Sequence, residues 1–442
     1  MGPGVDRVPS SARFPASAEV VVIGGGIIGV ATALSLVEQG IRTVLLEKGT
    51  VAAEQSSRNW GWCRRTGRDL RELPLINLSM QLWEGMNERV QRETGFRRCG
   101  ILYAARSEKQ RDLHQRWVNE ARQYGIHSEM LSPAQLLQHL PQLKGDYPGG
   151  MFTPLDGRAE PQKAAPAMAR AAMALGLNLQ QHCAVRTIER SAGQVSEVIT
   201  EHGAIRCQQV VVAGGAWSRL LLQGLGVSLP QLKVLSSVLR TRPIDFDPGA
   251  CVSFGSVAMR KRLDGGLTVA TSAISTADIT PDSLRFSAQF MPAFWHERKA
   301  IKLRAGKRFL EEALYWKPGQ ADKRSIYEVL RVLEPTIDAG MIPLIRDRIS
   351  ALIPSLAPLP VAQSWGGMID SLPDAIPVIS AVDPVPGLFL ATGFSGHGFG
   401  IAPGAGQLMA DLVLNRAPSV DAHPFRFSRF TDGEKIRAQF WL

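Results

Sequence analysis

The chain has 442 residues, beyond the ~100–200 typical of one domain, so we expect two domains or one elaborated α/β domain. Hydrophobic residues make up 45% and charged residues 20%, proportions that exclude a disordered, collagen-like or coiled-coil protein. The net charge of +10 fits an anionic partner. No recognition-helix motif or basic repeat accompanies that charge, which argues against nucleic acid.

Cysteine usage and the N-terminal residues bear on the compartment. The five cysteines are scattered and form no CxxC pair, which argues against a disulfide framework and a metal site and favours a cytoplasmic protein. No apolar run reaches the ~18–20 residues that a membrane span needs. Residues 1–18 are rich in Pro, Ser, Ala and Gly and lack the apolar stretch of a signal peptide, so we interpret them as a flexible tail.

The first apolar run, residues 19–23, reads EVVVI and predicts a buried parallel strand. Gly24, Gly26 and Gly29 follow, at the turn and the start of a predicted helix. A second predicted strand then ends at Glu47. This is a GxGxxG dinucleotide fingerprint in its required context of strand, turn and helix. The helix N-terminus would bind phosphates, and the carboxylate would accept hydrogen bonds from ribose hydroxyls. The expected dinucleotide ligands here are Gly24, Gly26, Ile27, Ile28, Gly29, Glu47 and Lys48.

Two later stretches are also dense in glycine. Residues 210–218 read VVVAGGAWS, and residues 388–406 read LFLATGFSGHGFGIAPGAG before a predicted helix over 407–414. Such turns let the backbone approach a flat, polar ligand closely. The alternative is that they are packing turns.

Taken with VVIGGGIIG…LLEK and SSRNWGW, these stretches resemble the D-amino-acid oxidase, glycine oxidase and sarcosine oxidase family of FAD enzymes, in the family's order. The resemblance implies an α/β fold in which a Rossmann-type FAD-binding domain is interleaved with an α+β substrate domain whose mixed sheet covers the flavin. The FAD-binding domain would take residues 19–95, 150–232 and 361–442, and the substrate domain 96–149 and 233–360, with a basic amphipathic helical insertion near 282–316. An NAD-dependent dehydrogenase is the weakest alternative, since the later glycine turns would have no ligand.

The resemblance also implies further FAD contacts. Those expected near the pyrophosphate are Ser56, Ser57 and Arg58, with Val185 on the adenine side. The remaining expected contacts, several of them beside the flavin and its ribityl chain, are Gly214, Gly215, Trp217, Gly393, Gly396, His397, Gly398, Phe399 and Gly400.

Two subgroups within the family share further patterns. Residues 52–58 and 368–380 resemble bacterial membrane-associated L-amino-acid deaminases, whereas residues 56–69 resemble the flavin subunits of opine oxidases. The chain also departs from the family. Gly367 stands where sarcosine-type oxidases attach flavin through cysteine, so we expect non-covalent FAD. Gly400 replaces a family lysine, and Ile369 with Asp370 replaces an Arg-Pro carboxylate clamp, which disfavours glycine or sarcosine as substrate.

A substrate carboxylate would then need another guanidinium. The candidates are Arg64, Arg68, Arg260 and Arg262, and His397 is a candidate for tuning the flavin, although it could equally be held by its own turn. The expected reaction is hydride transfer from an amino acid Cα to flavin N5, giving an imine that water hydrolyses to keto acid and ammonia. The alternatives are a secondary amine substrate (an opine or imino acid) within a multisubunit complex, or a flavin electron-transfer subunit. The electron acceptor is oxygen or a quinone or other carrier.

Residues 282–316 form the most unusual stretch, with six basic residues and no acid between Arg298 and Arg308. Pro292 is predicted to divide it into two short amphipathic helices. Such a segment suits peripheral contact with the inner face of a membrane. The alternatives are packing on the substrate domain with a solvated face, or contact with a partner subunit.

Overall fold

The computed structural model describes residues 2–271, 275–338, 340–434, 438–439 and 441. Its strands, in chain order, are β1 (Val20–Ile23), β2 (Thr43–Leu46), β3 (Trp62–Cys63), β4 (Arg97–Arg98), β5 (Ile101–Ala104), β6 (Glu129–Leu131), β7 (Gly150–Thr153), β8 (Gly157–Arg158), β9 (Asn178–Gln180), β10 (Val185–Ser191), β11 (Gln194–Thr200), β12 (Gly203–Arg206), β13 (Gln209–Val212), β14 (Leu232–Thr241), β15 (Cys251–Ser253), β16 (Val257–Lys261), β17 (Leu267–Thr271), β18 (Ser275–Asp278), β19 (Ile301–Arg304), β20 (Val361–Ser371), β21 (Val378–Ala381) and β22 (Leu388–Thr392).

The α-helices are α1 (Ile27–Val37), α2 (Gln55–Arg58), α3 (Leu73–Glu84), α4 (Met86–Val90), α5 (Glu108–Ala121), α6 (Pro133–His139), α7 (Pro161–Ala174), α8 (Ser218–Gln223), α9 (Pro281–Arg285), α10 (Ser287–Glu297), α11 (Arg308–Tyr315), α12 (Ile326–Val329), α13 (Met341–Leu352) and α14 (Gly398–Val413). Short 3₁₀ helices cover Leu70–Glu72, Arg122–Tyr124, Gly215–Trp217, Pro354–Leu356, His423–Phe425 and Phe427–Phe430.

The first sheet has six strands in the order β21-β22-β13-β1-β2-β9, parallel except for the β21–β22 pair. Its central strand β1 is buried on both faces, as its unbroken apolar sequence predicts. Val20 and Val22 pack with helices α1, α7 and α14, while Val21 and Ile23 pack with the separate antiparallel sheet β10-β11-β12. This arrangement confirms the expected Rossmann-type layer.

The second sheet is mixed and has ten strands, ordered β19-β18-β14-β17-β16-β15-β5-β7-β6, with β20 paired to β14. The β14–β20 pairing is antiparallel and long, running from Leu232 opposite Ser371 to Thr241 opposite Val361. Helix α13 covers one face with Ile345 and Ile349. Strands β7 and β20 lie in this sheet, although the predicted domain boundaries at residues 150 and 361 give them to the FAD-binding part.

Residues 2–18, predicted as a flexible tail, lie against the six-stranded sheet and its helices. Backbone N–H groups of Asp6, Ser11 and Ala18 donate to carbonyl oxygens of Gln162, Leu179 and Arg206, at 3.0, 2.7 and 3.0 Å. The side chains of Ser11 and Asp6 add contacts to Leu179 N–H and Lys163, at 3.0 and 3.2 Å. The segment lacks an apolar run, so its sequence did not indicate these contacts. In the described part of the chain, no helix combines the length and apolarity needed to cross a bilayer.

Two helix predictions were wrong in their boundaries. Pro292 lies inside α10. The break between α9 and α10 falls at Phe286, the residue immediately before α10 begins. The middle of the basic stretch, Ile301–Arg304, is instead strand β19, which pairs with β18 and is fixed by a 2.6 Å ion pair between Arg304 and Asp278. Helix α14 begins at Gly398 rather than residue 407. Its glycines permit close packing, since a Cβ on Gly406 would lie 2.5 Å from the Ala31 carbonyl carbon.

Candidate functional site

The turn between β1 and α1 depends on three glycines. Gly24 has φ +114°, and a Cβ there would lie 2.4 Å from the carbonyl oxygen of Ala213. A Cβ on Gly29 would lie 2.0 Å from the Gly24 carbonyl oxygen, so glycine lets α1 pack on the strand end. Gly26 is the extended residue preceding α1. The chain thereby brings bare backbone to the N-terminus of a helix, where N–H groups bind anions.

Glu47 stands at the end of β2, beside this turn. Its carboxylate accepts hydrogen bonds from the backbone N–H of Gly25 at 2.7 Å and of Gly49 at 2.6 Å. Burial raises the pKa of Glu47, an effect that the charge of Lys48 opposes. The Nζ of Lys48 donates to Glu54 at 2.7 Å and lies 4.4 Å from the centre of the Trp217 ring. Glu47 is therefore held in place to accept from hydroxyl groups, while Lys48 closes the wall beside it.

A single cleft brings together most of the predicted cofactor residues. It is lined by Gly24, Gly26, Ile27, Ile28, Glu47, Lys48, Ser56, Val185, Gly214, Gly215, Trp217, Gly396, Gly398 and Phe399. These residues come from three distant stretches, near residues 24–56, 185–217 and 396–399. All three glycine-rich turns therefore contribute to one cleft.

Six predicted cofactor residues lie outside the lining: Gly29, Ser57, Arg58, Gly393, His397 and Gly400. Arg58 is buried and donates to the Gly366 carbonyl at 3.1 Å and to Glu334 at 2.7 Å, so in this structure it contacts strand β20. The carbonyl of Gly400 accepts from Ser79 at 2.9 Å and from the Trp83 indole at 2.8 Å, which anchors α14.

Several residues that the sequence did not predict also line the cleft, among them Gln55, Asn59, Tyr327, Met368, Asp370, Thr392 and Phe394. Asp370 accepts from the Gly393 backbone N–H at 2.7 Å, and burial raises its pKa to about 6. The Oε1 atom of Gln55 is buried without a hydrogen-bond partner among the described residues. A polar group left unpaired beside an open cleft is suited to a polar ligand.

Gly367, at the position that suggested non-covalent FAD, is tightly enclosed. A Cβ there would lie 2.5 Å from Gln55 Oε1 and 3.3 Å from the Cβ of Arg58. A cysteine side chain could enter only if Gln55 moved away.

Next to the start of α14, the buried side chains of Arg68 and Glu72 form a polar cluster with His397, which is partly exposed. Arg68 is 3% exposed; its Nη2 donates to the His397 carbonyl at 3.3 Å, and its Nη1 has no partner among the described residues. Burial lowers the pKa of Arg68 to about 10, with the charge of Arg64 adding to the effect. The Glu72 carboxylate lies 3.6 Å from His397 Nδ1. Glu72 was not predicted, because only the fold brings it to His397.

His397 itself is neutral at pH 7, since burial and then the charge of Arg68 lower its pKa to about 4. For Glu72, burial opposes ionisation, but His397 and Arg68 outweigh it and hold the pKa below its usual value. Within the cluster the charge of Arg68 is balanced by that of Glu72, and Arg64 adds a positive charge nearby. An unpaired guanidinium N–H such as that of Arg68 Nη1 is a donor that can bind a carboxylate.

The other three predicted arginines differ in how far their guanidinium groups are already paired within the protein. Arg260 on β16 is 1% exposed, and it forms a two-point ion pair with Glu160, at 2.9 and 3.0 Å. Arg262, just past that strand, pairs with Asp264 at 3.1 Å. Arg64 is half-buried, donates to the Thr66 carbonyl at 2.5 Å and lies 5.9 Å from the centre of the Tyr103 ring. The structure thus favours Arg68, with Arg64 beside it, over Arg260 as a carboxylate ligand.

The site fits a flavin dinucleotide in its phosphate turn, its carboxylate at the second strand and its long cleft. The chain belongs to the FAD dependent oxidoreductase family, DAO, whose model matches residues 19–412. The predicted family and its FAD cofactor are thereby confirmed.

Individual relatives cover almost the whole chain. Sarcosine oxidase subunit beta of Rhizobium meliloti (strain 1021) is 28% identical over 94% of this chain and 89% of its own. Glycine oxidase of Geobacillus kaustophilus (strain HTA426) is 26% identical over 93% and 97%. Among solved structures, the L-amino acid deaminase from Proteus myxofaciens in complex with anthranilate has a TM-score of 0.92 and 30% identity, covering 98% of both chains. The fold is therefore that of FAD-dependent amine and amino-acid oxidoreductases.

Proposed function

We propose that this protein oxidises the Cα–N bond of an α-amino acid with non-covalently bound FAD, releasing a keto acid and ammonia. The observation that carries the proposal is the match over 98% of both chains to an L-amino acid deaminase structure, with a TM-score of 0.92. When bound, FAD supplies a hydride acceptor for this chemistry. Glu47 and the N-terminus of α1 would hold its ribose and pyrophosphate.

The protein's part is to bind and orient the amino acid. Arg68 offers an unpaired guanidinium N–H in a buried setting, where attraction to a carboxylate is stronger than in water. Arg64 adds a second positive charge nearby. Of the candidates, His397 has a lowered pKa and lies 3.6 Å from the Glu72 carboxylate, so it fits a positioning role better than proton transfer. A substrate that binds as the neutral amine needs no protein base, because the amine proton is already in solution.

A secondary amine is the second candidate substrate class. The relative sarcosine oxidase subunit beta, 28% identical over 94% of this chain, favours a secondary amine as substrate. The word subunit in its name also suggests a partner subunit for this protein. Against glycine or sarcosine themselves, Ile369 and Asp370 replace the expected Arg-Pro clamp. The carboxylate of Asp370 would also repel a second carboxylate in the cleft unless it were protonated.

Product analysis separates the two substrate classes. Purified holoprotein is incubated with L-amino acids, D-amino acids and N-alkylated amines, and ammonia, keto acid, aldehyde and primary amine are measured. Ammonia with an equal amount of keto acid supports deamination. If the only product is a primary amine released from N-alkylated substrates, the substrate is a secondary amine and not an α-amino acid. Oxygen uptake in the same assay tests whether oxygen or another carrier accepts the electrons.

We also propose that residues 282–316 contact an anionic membrane surface. Seven apolar side chains in this segment are more than half exposed: Leu284, Met291, Trp295, Leu303, Leu310, Leu314 and Tyr315. The exposed Lys and Arg residues of this segment are Arg285, Arg298, Lys299, Lys302 and Lys307. Apolar side chains interspersed with cations suit a lipid interface, where each cation contributes about 1 kcal/mol on an anionic leaflet.

Vesicle sedimentation tests this contact. We expect the protein to sediment with phosphatidylcholine–phosphatidylglycerol vesicles, less at high salt, and much less when Trp295→Ser and Leu310→Ser are combined. Leu175→Ser is the matched control, since Leu175 is 54% exposed elsewhere on the surface. Equal sedimentation of all variants, or none of the wild type, would reject the proposal and leave a solvated face or a partner subunit.

A further inference from the structure

We propose that Cys99 and Cys251 form an oxidisable dithiol, a modification site that closes to a disulfide when the protein meets a peroxide. Their sulfur atoms lie 3.9 Å apart. Cys251 begins β15, and Cys99 lies just before β5, the strand parallel to it. The N–H of Cys251 donates to the Gly100 carbonyl at 3.0 Å, which keeps the two cysteine-bearing segments side by side.

The two thiols differ in a way that suits sequential oxidation. Cys99 is partly exposed, whereas Cys251 has no exposed surface. The hydrogen bond from Cys251, followed by the charge of Arg158, lowers the pKa of Cys99 to about 7 despite partial burial. At neutral pH a large fraction of Cys99 is therefore thiolate, the reactive form. Cys251, whose pKa burial raises well above its usual value, stays a thiol beside it.

The remaining described cysteines lack this combination. Burial raises the pKa of Cys183 to about 11 and of Cys207 to about 12. Cys63 is fully buried, and burial raises its pKa as well. These thiols should stay reduced under conditions that oxidise the proposed pair.

The reaction balances with hydrogen peroxide as oxidant. The Cys99 thiolate attacks one peroxide oxygen, the O–O bond breaks, and the departing hydroxide takes a proton to become water. The Cys251 sulfur then attacks the resulting sulfenic acid sulfur, and its proton leaves with the second hydroxide as water. Overall, two thiols and one peroxide give one disulfide and two waters, with two electrons passing from sulfur to oxygen.

Closure would tie the segment between β4 and β5 to β15 with a covalent bond. Arg158, whose charge favours the Cys99 thiolate, lies on β8 and pairs there with Trp62 on β3. Gly400 at the start of α14 packs on the next residue of β3, where a Cβ on the glycine would lie 3.0 Å from Cys63 Cα. Strand β3 therefore contacts both the strand that carries Arg158 and the start of α14.

Peptide mapping without reduction tests the inference. Holoprotein at neutral pH is treated with hydrogen peroxide, free thiols are alkylated with iodoacetamide, and the digest is examined by mass spectrometry. We expect a cross-linked peptide pair containing Cys99 and Cys251, two hydrogens lighter than its thiols and lost after dithiothreitol. Cys99→Ser and Cys251→Ser should each remove it, whereas Cys207→Ser should leave it unchanged.

Two results would overturn the inference. One is recovery of both cysteines as alkylated thiols after the peroxide step. The other is conversion of Cys99 to sulfinic or sulfonic acid without any cross-link. Because the wild-type map gives the decisive reading, a serine variant that fails to fold does not weaken the test.

Discussion

The side-chain oxygen of Ser56 accepts a 2.8 Å hydrogen bond from the backbone N–H of Ile27. This contact joins the SSRNWGW stretch to the first turn of α1, 29 residues earlier in the chain. One N–H at the helix N-terminus is therefore satisfied by protein, and the remaining ones near Gly26 are left for a pyrophosphate. The two motifs, which look independent in the sequence, therefore meet at the predicted phosphate site.

Gly26→Ala should weaken FAD binding while the fold is retained. The backbone at Gly26 is compatible with alanine (φ −70°, ψ 171°), but the added Cβ would lie 3.0 Å from Ser56 Oγ and enter the phosphate turn. We expect the FAD dissociation constant to rise about tenfold or more, a loss of ~1.4 kcal/mol. Fluorescence titration of FAD into apoprotein measures it. Gly306→Ala is the control, because a Cβ there meets nothing within 4 Å; equal affinities in both variants would contradict this placement.

Arg68→Lys should raise KM for the amino acid more than it lowers kcat. Lysine keeps the charge but loses the planar guanidinium that can bind a carboxylate at two points, so we expect KM to rise roughly 10-fold to 100-fold. Steady-state kinetics with retained FAD provide the measurement. Arg111→Lys, on the surface of α5, should behave as wild type. An unchanged KM in both Arg68→Lys and Arg64→Lys would exclude these arginines as the carboxylate ligands.

Arg260→Met should act on stability rather than on substrate binding. Removing Arg260 leaves the buried Glu160 carboxylate without its two-point partner, with Arg158 at 3.7 Å as its remaining ion-pair partner among the described residues. Losing one member of a buried ion pair typically costs about 3–5 kcal/mol. We expect a clearly lower thermal midpoint, which Glu160→Met added to Arg260→Met should partly restore because the buried pair is then removed as a whole. A stable Arg260→Met protein with a raised KM would instead indicate that Arg260 binds the substrate.

His114 should make the protein less stable as the pH falls. It is buried on α5, and burial lowers its pKa to about 4, below the ~6.5 of an unfolded chain. The unfolded state therefore binds more protons between these values, so stability is full above pH ~6.5 and falls as the pH drops toward 4; the loss at pH 5 is about 2 kcal/mol.

His114→Phe removes this titration. Urea midpoints at pH 7.5 and 5 should fall less in the variant than in wild type, and groups common to both proteins cancel in the comparison. A parallel pH dependence in the two proteins would mean that His114 is protonated or paired in the fold.

The sequence predicted the features that depend on local pattern. Gly24, Gly26 and Glu47 were identified because strand, turn, helix and carboxylate follow one another within 30 residues, and each requirement is local. The order of the glycine-rich stretches then indicated the family, and with it the interleaved fold. Residues such as Ile27 and Ser56 line the cleft where the motifs placed them.

What the sequence did not predict depends on contacts between distant residues. Arg260 resembled a free substrate ligand because its partner Glu160 lies 100 residues away. Glu72 gave no signal until α14 brought His397 to 3.6 Å from it. The Pro292 boundary was wrong because the proline lies inside α10, where it removes one backbone N–H donor but does not end the helix.

The most direct test of the account follows the flavin without oxygen. Purified yellow protein is mixed anaerobically with separate pools of L-amino acids, D-amino acids and N-alkylated or opine-type amines, and its visible absorption band is recorded. We predict that an amino-acid pool bleaches the band, which shows electron transfer from the Cα–N bond. If no pool bleaches a flavin that dithionite still reduces, the protein is not an amine-oxidising enzyme on its own. The result would then favour a flavin electron-transfer subunit.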